Sequence, residues 1–505
     1  MLAWTIYISF AGVLVLMLLP RDNARAARIV ALATAVLGCA VAFAGAIRQA
    51  QHGNLGDVTT IVNVPWIKEL GATYHLGADG ISLMLVVLTG LAAVAGILFS
   101  WNIEQRAKEF FAFYLALIGG VYGVFLSFDL LLLFVFYELT IIPKYFLIAR
   151  WGSTRREYGA MKLALYSFVG SHLVLIGLIA TWVVARSQAA GHVPSLDLMA
   201  LSQMAFPASF QFWAFPLIFV GFGILAGMWP FHTWAPTGHV AAPTAGSMLL
   251  AGVVMKLGAY GCLRVAMVLF PEGARQWQWA IAGLAVIGIV YGAGVALVQR
   301  DFKFVIGYSS VSHMGFVLLG LATLNTLGLD GAVLQMFSHG IIAGLLFGVV
   351  GRMVYDRTHT RDFNDLEHMN LGRLLPFAGV TFAIAAFASM GMPGFSGFVA
   401  EFQVLMGAWT VYPVLTLLSG LGIIIGVAYT LRALQKAFYS DAPATGHDAH
   451  DGHPMAPITG PERAGAVLLI AASLIIGLFP ALLMDWIEPC LKSPMFARLL
   501  NGGAQ

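Results

Sequence analysis

Long apolar stretches separated by short polar segments run through nearly the whole chain. Each stretch has about 17 to 25 residues, the length at which a helix crosses a hydrocarbon core about 30 Å thick. The pattern predicts an all-α polytopic membrane protein with about fourteen transmembrane helices. The predicted spans are residues 2–20, 27–47, 81–101, 109–128, 129–150, 162–184, 211–229, 245–270, 277–298, 302–322, 329–355, 375–408, 412–438 and 463–486.

Two apolar stretches are interrupted by residues that break helices. One break is GILAGMWPFHTWAP at 223–236, and the other is GMPGFSG at 391–397. Proline lacks an amide donor and clashes with the preceding turn, so the freed backbone groups need protein or water as partners. One broken helix in each half of a chain is typical of transporters with inverted repeats and a site at the bilayer midplane. Ordinary proline kinks are the alternative.

Composition supports a membrane protein and excludes several other classes. The 505 residues are 59% hydrophobic and only 10% charged, whereas roughly a quarter of the residues in soluble domains are charged. The net charge of +3 without a clustered basic face argues against nucleic-acid binding. Cys39, Cys262 and Cys490 lack the spacing of metal-binding or redox motifs, so we predict no metal site and no cofactor on this chain.

Basic residues predict the orientation, because cytoplasmic loops carry the excess of Lys and Arg. Most of the 27 Lys and Arg residues fall on the inner side when both termini are placed outside. The polar segment 49–75 then lies over the outer face. The linker 440–459 lies inside, and its histidines could bind a metal, although a solvated loop is the alternative. These histidines are His447, His450 and His453.

Three ionisable side chains sit in apolar sequence where hydrocarbon is expected around them: Glu138, Lys256 and Glu401. A charge at the bilayer centre costs on the order of 2.5 to 3.5 kcal/mol, so each needs a partner, water or a function. Burial penalises the charged form, which makes a change of protonation state possible. We therefore predict an intramembrane proton path. Structural ion pairs or a helix cap are the alternative.

Histidines extend this set, because a neutral imidazole can pass a proton as well as fill a core position. His313 and His339 lie in apolar helices between Lys256 and Glu401 in the sequence. The predicted relay residues are Glu138, Lys256, His313, His339 and Glu401.

Four further residues are auxiliary candidates. His232 and His239 flank the end of the first broken helix and could line an entrance, and His172 has weaker support. Lys144 follows Glu138 by six residues, about 240° around a helix, so we expect it to point elsewhere and to reach the cytoplasmic surface.

Six motifs together resemble the antiporter-like proton-pumping subunits of respiratory complex I, the NADH:quinone oxidoreductase, within the Mrp-type antiporter superfamily. Two features resemble those of chain M. Position 401 is a glutamate, where the sister chains L and N usually carry lysine, and the sequence ends soon after the last span. The motifs are YHLGADGISL (74–83), YELTIIPKYFLI (137–148), WPFHTWAP (229–236), HVAAPTAGSMLLAGVVMKLGAYGCLR (239–264), IGYSSVSHMGF (306–316) and MPGFSGFVAEF (392–402).

The resemblance implies two inverted five-helix repeats, residues 109–264 and 265–438, each with one broken helix. Residues 1–108 would form the first three spans, and residues 439–462 would form a cytoplasmic loop that contains histidines. Residues 463–505 would supply the last span and a tail.

The resemblance also implies a proton-translocating subunit of a bacterial inner membrane, with both termini periplasmic. NADH, FMN, Fe–S clusters and quinone are expected elsewhere in the host complex, with L-, N- and K-like chains and lipid as neighbours. Two alternatives remain: a subunit of a multi-subunit cation/proton antiporter or membrane-bound hydrogenase, and a structural paralogue that pumps no protons.

One position departs from the family pattern. The resemblance implies that Glu138 pairs with a lysine on the first broken helix, but that position is Leu225, and residues 211–230 contain no charged side chain. His172 could be a substitute partner if the sixth span abuts the fifth. Either Glu138 is hard to deprotonate and still relays protons, or the first half-channel is altered or silent.

Overall fold

The computed structural model describes residues 1–21, 23–52, 55–189, 193–440 and 455–500. Twelve of its helices are long and apolar enough to cross a membrane. His447, His450 and His453, with most of the predicted cytoplasmic loop, lie outside the described residues.

The N-terminal part contains three long helices and one β-hairpin. Its elements are α1 (Ala3–Leu18), α2 (Ala24–His52), β1 (Thr59–Ile67), β2 (Ala72–Ala78) and α3 (Gly80–Phe99). The two strands pair antiparallel, with Thr59 opposite Ala78. This hairpin begins within segment 49–75, which the sequence analysis expected only as a polar segment over the outer face. It forms because β1 is rich in Thr, Ile and Val, which favour strands.

The next part contains the first broken helix. Its elements are α4 (Ala107–Leu126), α5 (Leu130–Leu139), α6 (Ile141–Trp151), α7 (Arg156–Gln188), α8 (Leu198–Ser202), α9 (Ala208–Ala226), a 3₁₀ turn (Phe231–Thr233), α10 (Trp234–Ala241), α11 (Thr244–Leu249), a π-helical segment (Leu250–Val254), α12 (Met255–Gly261) and a second π-helical segment (Cys262–Met267).

The third part contains the second broken helix. Its elements are α13 (Pro271–Val298), α14 (Phe302–Ala322), α15 (Thr326–Gly348), a π-helical segment (Val349–Tyr355), α16 (Asp356–Thr358), α17 (Phe363–Leu366), α18 (Leu371–Leu374), α19 (Pro376–Ser389), α20 (Ser396–Trp409) and α21 (Pro413–Phe438).

Three helices end the described chain: α22 (Gly460–Leu478), α23 (Ala481–Leu491) and α24 (Pro494–Leu500). The predicted last span, 463–486, is therefore too long at its C-terminal end. The helix stops before Pro480, which cannot donate to the preceding turn, and the predicted tail is largely helical.

Every predicted apolar stretch falls on one of these helices, and both predicted breaks are present. The first broken helix continues past its break, so that the span is Ala208–Ala241 and the predicted end at residue 229 is wrong. The second break separates α19 from α20. The number of membrane crossings stays a prediction.

The same local structure occurs twice, in positions that match the predicted repeats. Asp129 and Asp301 cap the N-termini of α5 and α14, and Asp197 and Asp362 cap α8 and α17. Asp129 forms an isolated β-bridge with Asp197, as Asp301 does with Asp362. Five candidate spans lie between Asp129 and Asp301, an odd number that places the two bridges on opposite sides. This agrees with inverted repeats, which stay a prediction.

A buried ion pair attaches the C-terminal helices to the rest of the fold. Arg264 Nη2 lies 2.5 Å from Asp79 Oδ2, and the two side chains are 0% and 1% exposed. Cys490 Sγ donates to the same carboxylate at 3.1 Å, and Arg264 also contacts Met495 and the ring of Phe496. The ends of α3, of the fully buried span Thr244–Met267 and of α23 therefore meet at one carboxylate.

We expect Arg264→Met to lower the free energy of unfolding by about 3–5 kcal/mol, because it leaves Asp79 as an uncompensated buried charge. The double variant Asp79→Asn with Arg264→Met should show a clearly smaller decrease in the free energy of unfolding. Thermal unfolding of the purified protein, followed by circular dichroism, measures both. The exposed Arg25→Met is the control. Equal losses in the single and double variants would refute the pairing.

Candidate functional site

Lys256 lies in a span that is buried along its whole length. It follows the π-helical segment Leu250–Val254, and π turns are rare and frequent at functional sites. Its side chain is 0% exposed, and its Nζ donates to the carbonyl oxygen of Ala251. An ammonium group has three N–H donors, and the bond to Ala251 uses one of them, so the others need further partners.

His339, on α15, supplies a second partner for Lys256. Lys256 Nζ lies 2.7 Å from His339 Nδ1, and the His339 side chain is buried in a span that is itself fully buried. His339 Nε2 has no hydrogen-bond partner among the described residues. The imidazole therefore has one nitrogen on the lysine and the other available on its far side.

His313, on α14, continues the path from His339 to Glu401. The two imidazole rings lie 5.6 Å apart between centroids, with an angle of 30° between their planes. His313 Nδ1 is 3.0 Å from Glu401 Oε1, and its Nε2 is 3.1 Å from Ser389 Oγ. Gln335 Nε2 lies 3.4 Å from both His313 Nδ1 and Glu401 Oε1. Both ends of the second imidazole are therefore fixed.

The second helix break positions Glu401. Gly391 has a φ of +71°, and a Cβ placed there would lie 2.9 Å from Glu401 Oε2. Glycine tolerates this backbone conformation and allows the close approach. The break between α19 and α20 therefore places backbone against the carboxylate, where a continuous helix would place a side chain.

A small cavity lies along this path, lined by residues of α14, α15, α19 and α20. Its volume of about 10 Å³ is room for about one water molecule. The polar residues that line it are Ser309, Ser310, His313, Gln335, Ser338, His339, Ser389 and Glu401. A site of this polarity can hold a water that hydrogen-bonds to both histidines.

Small residues set the separation of Lys256 from His339. A Cβ on Gly340 would lie 2.6 Å from the carbonyl oxygen of Gly252, and 2.8 Å from Leu88. Gly252 precedes Lys256 by four residues, and Gly340 is next to His339. The backbones therefore touch directly beside the lysine–histidine contact.

Glu138 lies apart from this path. Its Oε1 is buried without a hydrogen-bond partner among the described residues, and no described hydrogen bond or ion pair joins it to Lys256. Lys144, which we expected to reach the cytoplasmic surface, is 1% exposed, and its Nζ is also unpartnered. That expectation is wrong, because the helix breaks at Thr140, between Glu138 and Lys144.

The remaining histidines divide into buried and exposed. His239 is fully buried, stacked on Phe347 at 4.9 Å, and His232 is 2% exposed. Neither has a hydrogen-bond partner among the described residues. His172 is exposed, and its Nδ1 lies 2.6 Å from the carbonyl oxygen of Phe168 in its own helix. His172 therefore faces away from Glu138 and is not the substitute partner that the sequence suggested.

Lys303 lies at the start of the predicted span 302–322 and was not among the candidate site residues. It is 2% exposed, and its Nζ donates to the carbonyl oxygen of Ala242 at 3.0 Å. Together with Lys256 it is one of the charges that act on His239. A surface pocket of about 310 Å³ reaches Lys303, with Arg352, Asp356 and Ser153 in its lining. Its position two residues after the N-cap Asp301 gave no sign of this burial.

Comparison with known proteins gives one consistent family. A family model described as "NADH:quinone oxidoreductase/Mrp antiporter, TM" matches residues 127–426. NADH-quinone oxidoreductase subunit M of Rhodobacter capsulatus is 37% identical over 429 residues, which are 84% of this chain and 82% of that protein. Subunit M of Escherichia coli K12 is 34% identical over 496 residues, 96% of each protein.

Solved structures agree with the sequence relatives. A chain of respiratory complex I from Thermus thermophilus with bound NADH superimposes with a TM-score of 0.87 at 28% identity, covering 99% of this chain and 100% of that one. A chain of the Mrp complex from Dietzia sp. DQ12-45-1b superimposes with a TM-score of 0.81 at 18% identity, covering 99% and 98%, which shows a shared fold.

The family model, the sequence relatives and the fold thus agree, and the chain belongs to the NADH:quinone oxidoreductase/Mrp antiporter family of membrane proteins.

Proposed function

We propose that this chain is a proton-translocating membrane subunit of an NADH:quinone oxidoreductase, and that it couples quinone reduction to proton movement. One observation carries the proposal: Lys256, His339, His313 and Glu401 form a path in the interior across four packed helices. Buried ionisable groups in contact with one another are costly to maintain, and within membranes they mark proton or ion paths.

The proposed entrance is the pocket that reaches Lys303. It lies on the same side as Arg361, which donates to the carbonyl oxygen of Val240, and the excess of Lys and Arg on this side supports a cytoplasmic position for it. From Lys303 the path passes His239 to Lys256. The buried, unpartnered imidazole of His239 is suited to exchange a proton with either lysine.

The relay itself requires only proton transfers. Lys256 donates a proton to His339 Nδ1, and His339 releases one from Nε2 to water in the cavity. That water passes a proton through the Ser389 hydroxyl to His313 Nε2, and His313 donates from Nδ1 to Glu401. Release from Glu401 and reprotonation of Lys256 from the entrance return every group to its starting charge.

The host complex supplies the driving reaction in this proposal. NADH, FMN, Fe–S clusters and quinone belong to other subunits, and L-, N- and K-like chains are the proposed membrane neighbours. Both termini lie on the periplasmic side of a bacterial inner membrane. The similarity to an Mrp complex keeps a cation/proton antiporter as an outcome of the test below.

We expect Lys256→Met, and separately Glu401→Gln, to lower proton transport by roughly tenfold or more, because a positioned proton carrier is worth at least that in transfer rate. Inverted membrane vesicles that carry the assembled complex measure this. NADH-driven acidification is followed with a pH-sensitive dye, and NADH oxidation is followed in parallel.

Lys436→Met is the matched control, since Lys436 bonds Glu367 at 2.5 Å outside the relay. Unchanged proton transport in Lys256→Met would reject the relay. Sodium-driven proton movement without any dependence on NADH would favour the antiporter.

A second prediction concerns the helix break beside Glu401. Gly391→Ala and Gly394→Ala both force alanine into a left-handed conformation, but only at residue 391 would the new Cβ meet Glu401. We expect Gly391→Ala to reduce proton transport several-fold more than Gly394→Ala, in the same vesicles and at equal complex content. Equal losses would mean that backbone strain, and not the position of the carboxylate, controls transport.

A further inference from the structure

Lys144 lies on the protein-facing side of α6 and has no route to water. The buried residues of this helix include Lys144, Leu147 and Ile148, which share one face because they are three and four residues apart. Its side chain is 1% exposed, and Nζ has no hydrogen-bond partner among the described residues. The lysine is therefore held at a core position where a leucine or methionine would fit without cost.

The helix break at Thr140 changes the direction in which Lys144 points. The Thr140 N–H donates to the carbonyl oxygen of Tyr137 at 3.2 Å, and its hydroxyl donates to the same oxygen at 2.7 Å. In a turn of this kind the side-chain direction rotates about the helix axis by about 120° per residue, compared with about 100° in an α-helix. Pro143 removes a further amide donor. The overwound turn brings Lys144 back toward the face that carries Glu138.

Two groups of opposite charge therefore flank the turn at Thr140, a fully buried lysine and a partly buried glutamate. Glu138 Oε1 and Lys144 Nζ both lack partners among the described residues, and Glu138 is the charged group that acts on the Lys144 ammonium. A buried charge without a bonded partner destabilises a fold, so a structural role does not explain this lysine.

We propose that Lys144 is the basic partner of Glu138 in the first repeat, in place of the lysine that the family resemblance assigns to position 225. Its charge acts on Glu138, which the sequence predicts as a relay residue and which lies apart from the path from Lys256 to Glu401, so Lys144 is a positioning residue for proton transfer in the first repeat. This proposal rests on the proton-translocating function proposed above.

The packing around Glu138 explains why a lysine at either position could serve. The ring of Tyr137, the residue before Glu138, contacts the ring of Phe222 on α9 at 5.4 Å between centroids. Leu225 follows Phe222 by three residues on the same helix face and is 1% exposed. Position 225 therefore lies about one helical turn from the contact between α9 and the residue next to Glu138, so a lysine there would be carried by α9.

The test transfers the lysine from position 144 to position 225. In vesicles that carry the assembled complex, we expect Lys144→Met to lower NADH-driven proton transport roughly tenfold, within the range of typical coupling between two sites. Lys144→Arg should retain most of the transport. Leu225→Lys added to Lys144→Met should restore at least about half of the wild-type value, since the charge returns to Glu138 from α9. Lys436→Met again serves as the control.

Two further measurements separate a charge partner from a structural lysine. Glu138→Gln and the double variant Glu138→Gln with Lys144→Met should lower proton transport by the same factor. Each variant disrupts the same charge pair, so the second substitution adds no further loss. The thermal unfolding temperature of Lys144→Met should be equal to or higher than that of the wild type, since a buried charge is removed.

Three results would overturn the proposal: full transport in Lys144→Met, additive losses in the double variant, or an unstable Lys144→Met that Leu225→Lys does not rescue. Loss in Lys256→Met with full transport in Lys144→Met would reject this partner alone. Full transport in Lys256→Met would reject the relay itself.

Discussion

Hydrocarbon can neither accept a hydrogen bond nor solvate a charge, and this constraint determines where the polar groups of this protein lie. The spans that carry Lys256 and His339 are the two that are buried along their whole hydropathic core. Both helix breaks, at Gly227 and Gly391, contact neighbouring helices of the same chain. The outer helices therefore separate the lipid from a polar interior, and that separation permits ionisable groups to contact one another at mid-membrane depth.

The two halves of the molecule use their charges differently. In the second half, Glu401 is bonded to His313, and His313 to Ser389, so the groups hold one another in place. In the first half, Glu138 and Lys144 lie in the same region without a bond between them. Bonded groups fix a geometry, whereas an unbonded pair responds strongly when either charge changes, because a low dielectric screens it weakly.

Much of the site could be predicted from the sequence, because an ionisable residue in an apolar run of twenty is conspicuous. Lys256, His339, His313 and Glu401 were found in this way, as were both helix breaks. Lys144 was misplaced because a regular helix was assumed across Thr140, where the turn is tighter. The burial of Lys303 and the pairing of Asp79 with Arg264 were missed, since all three lie near span ends, where charged residues are usually solvated.

The contact between Gly252 and Gly340 has a consequence for how such proteins are compared. The lysine and the histidine come within bonding distance only because two residues without side chains let their helices touch. A comparison that considers only acidic, basic and histidine side chains would find all of the relay residues in a relative that has alanine at position 252 or 340. Its helices would nevertheless stand farther apart, and the lysine–histidine contact would be longer although every titratable group is present.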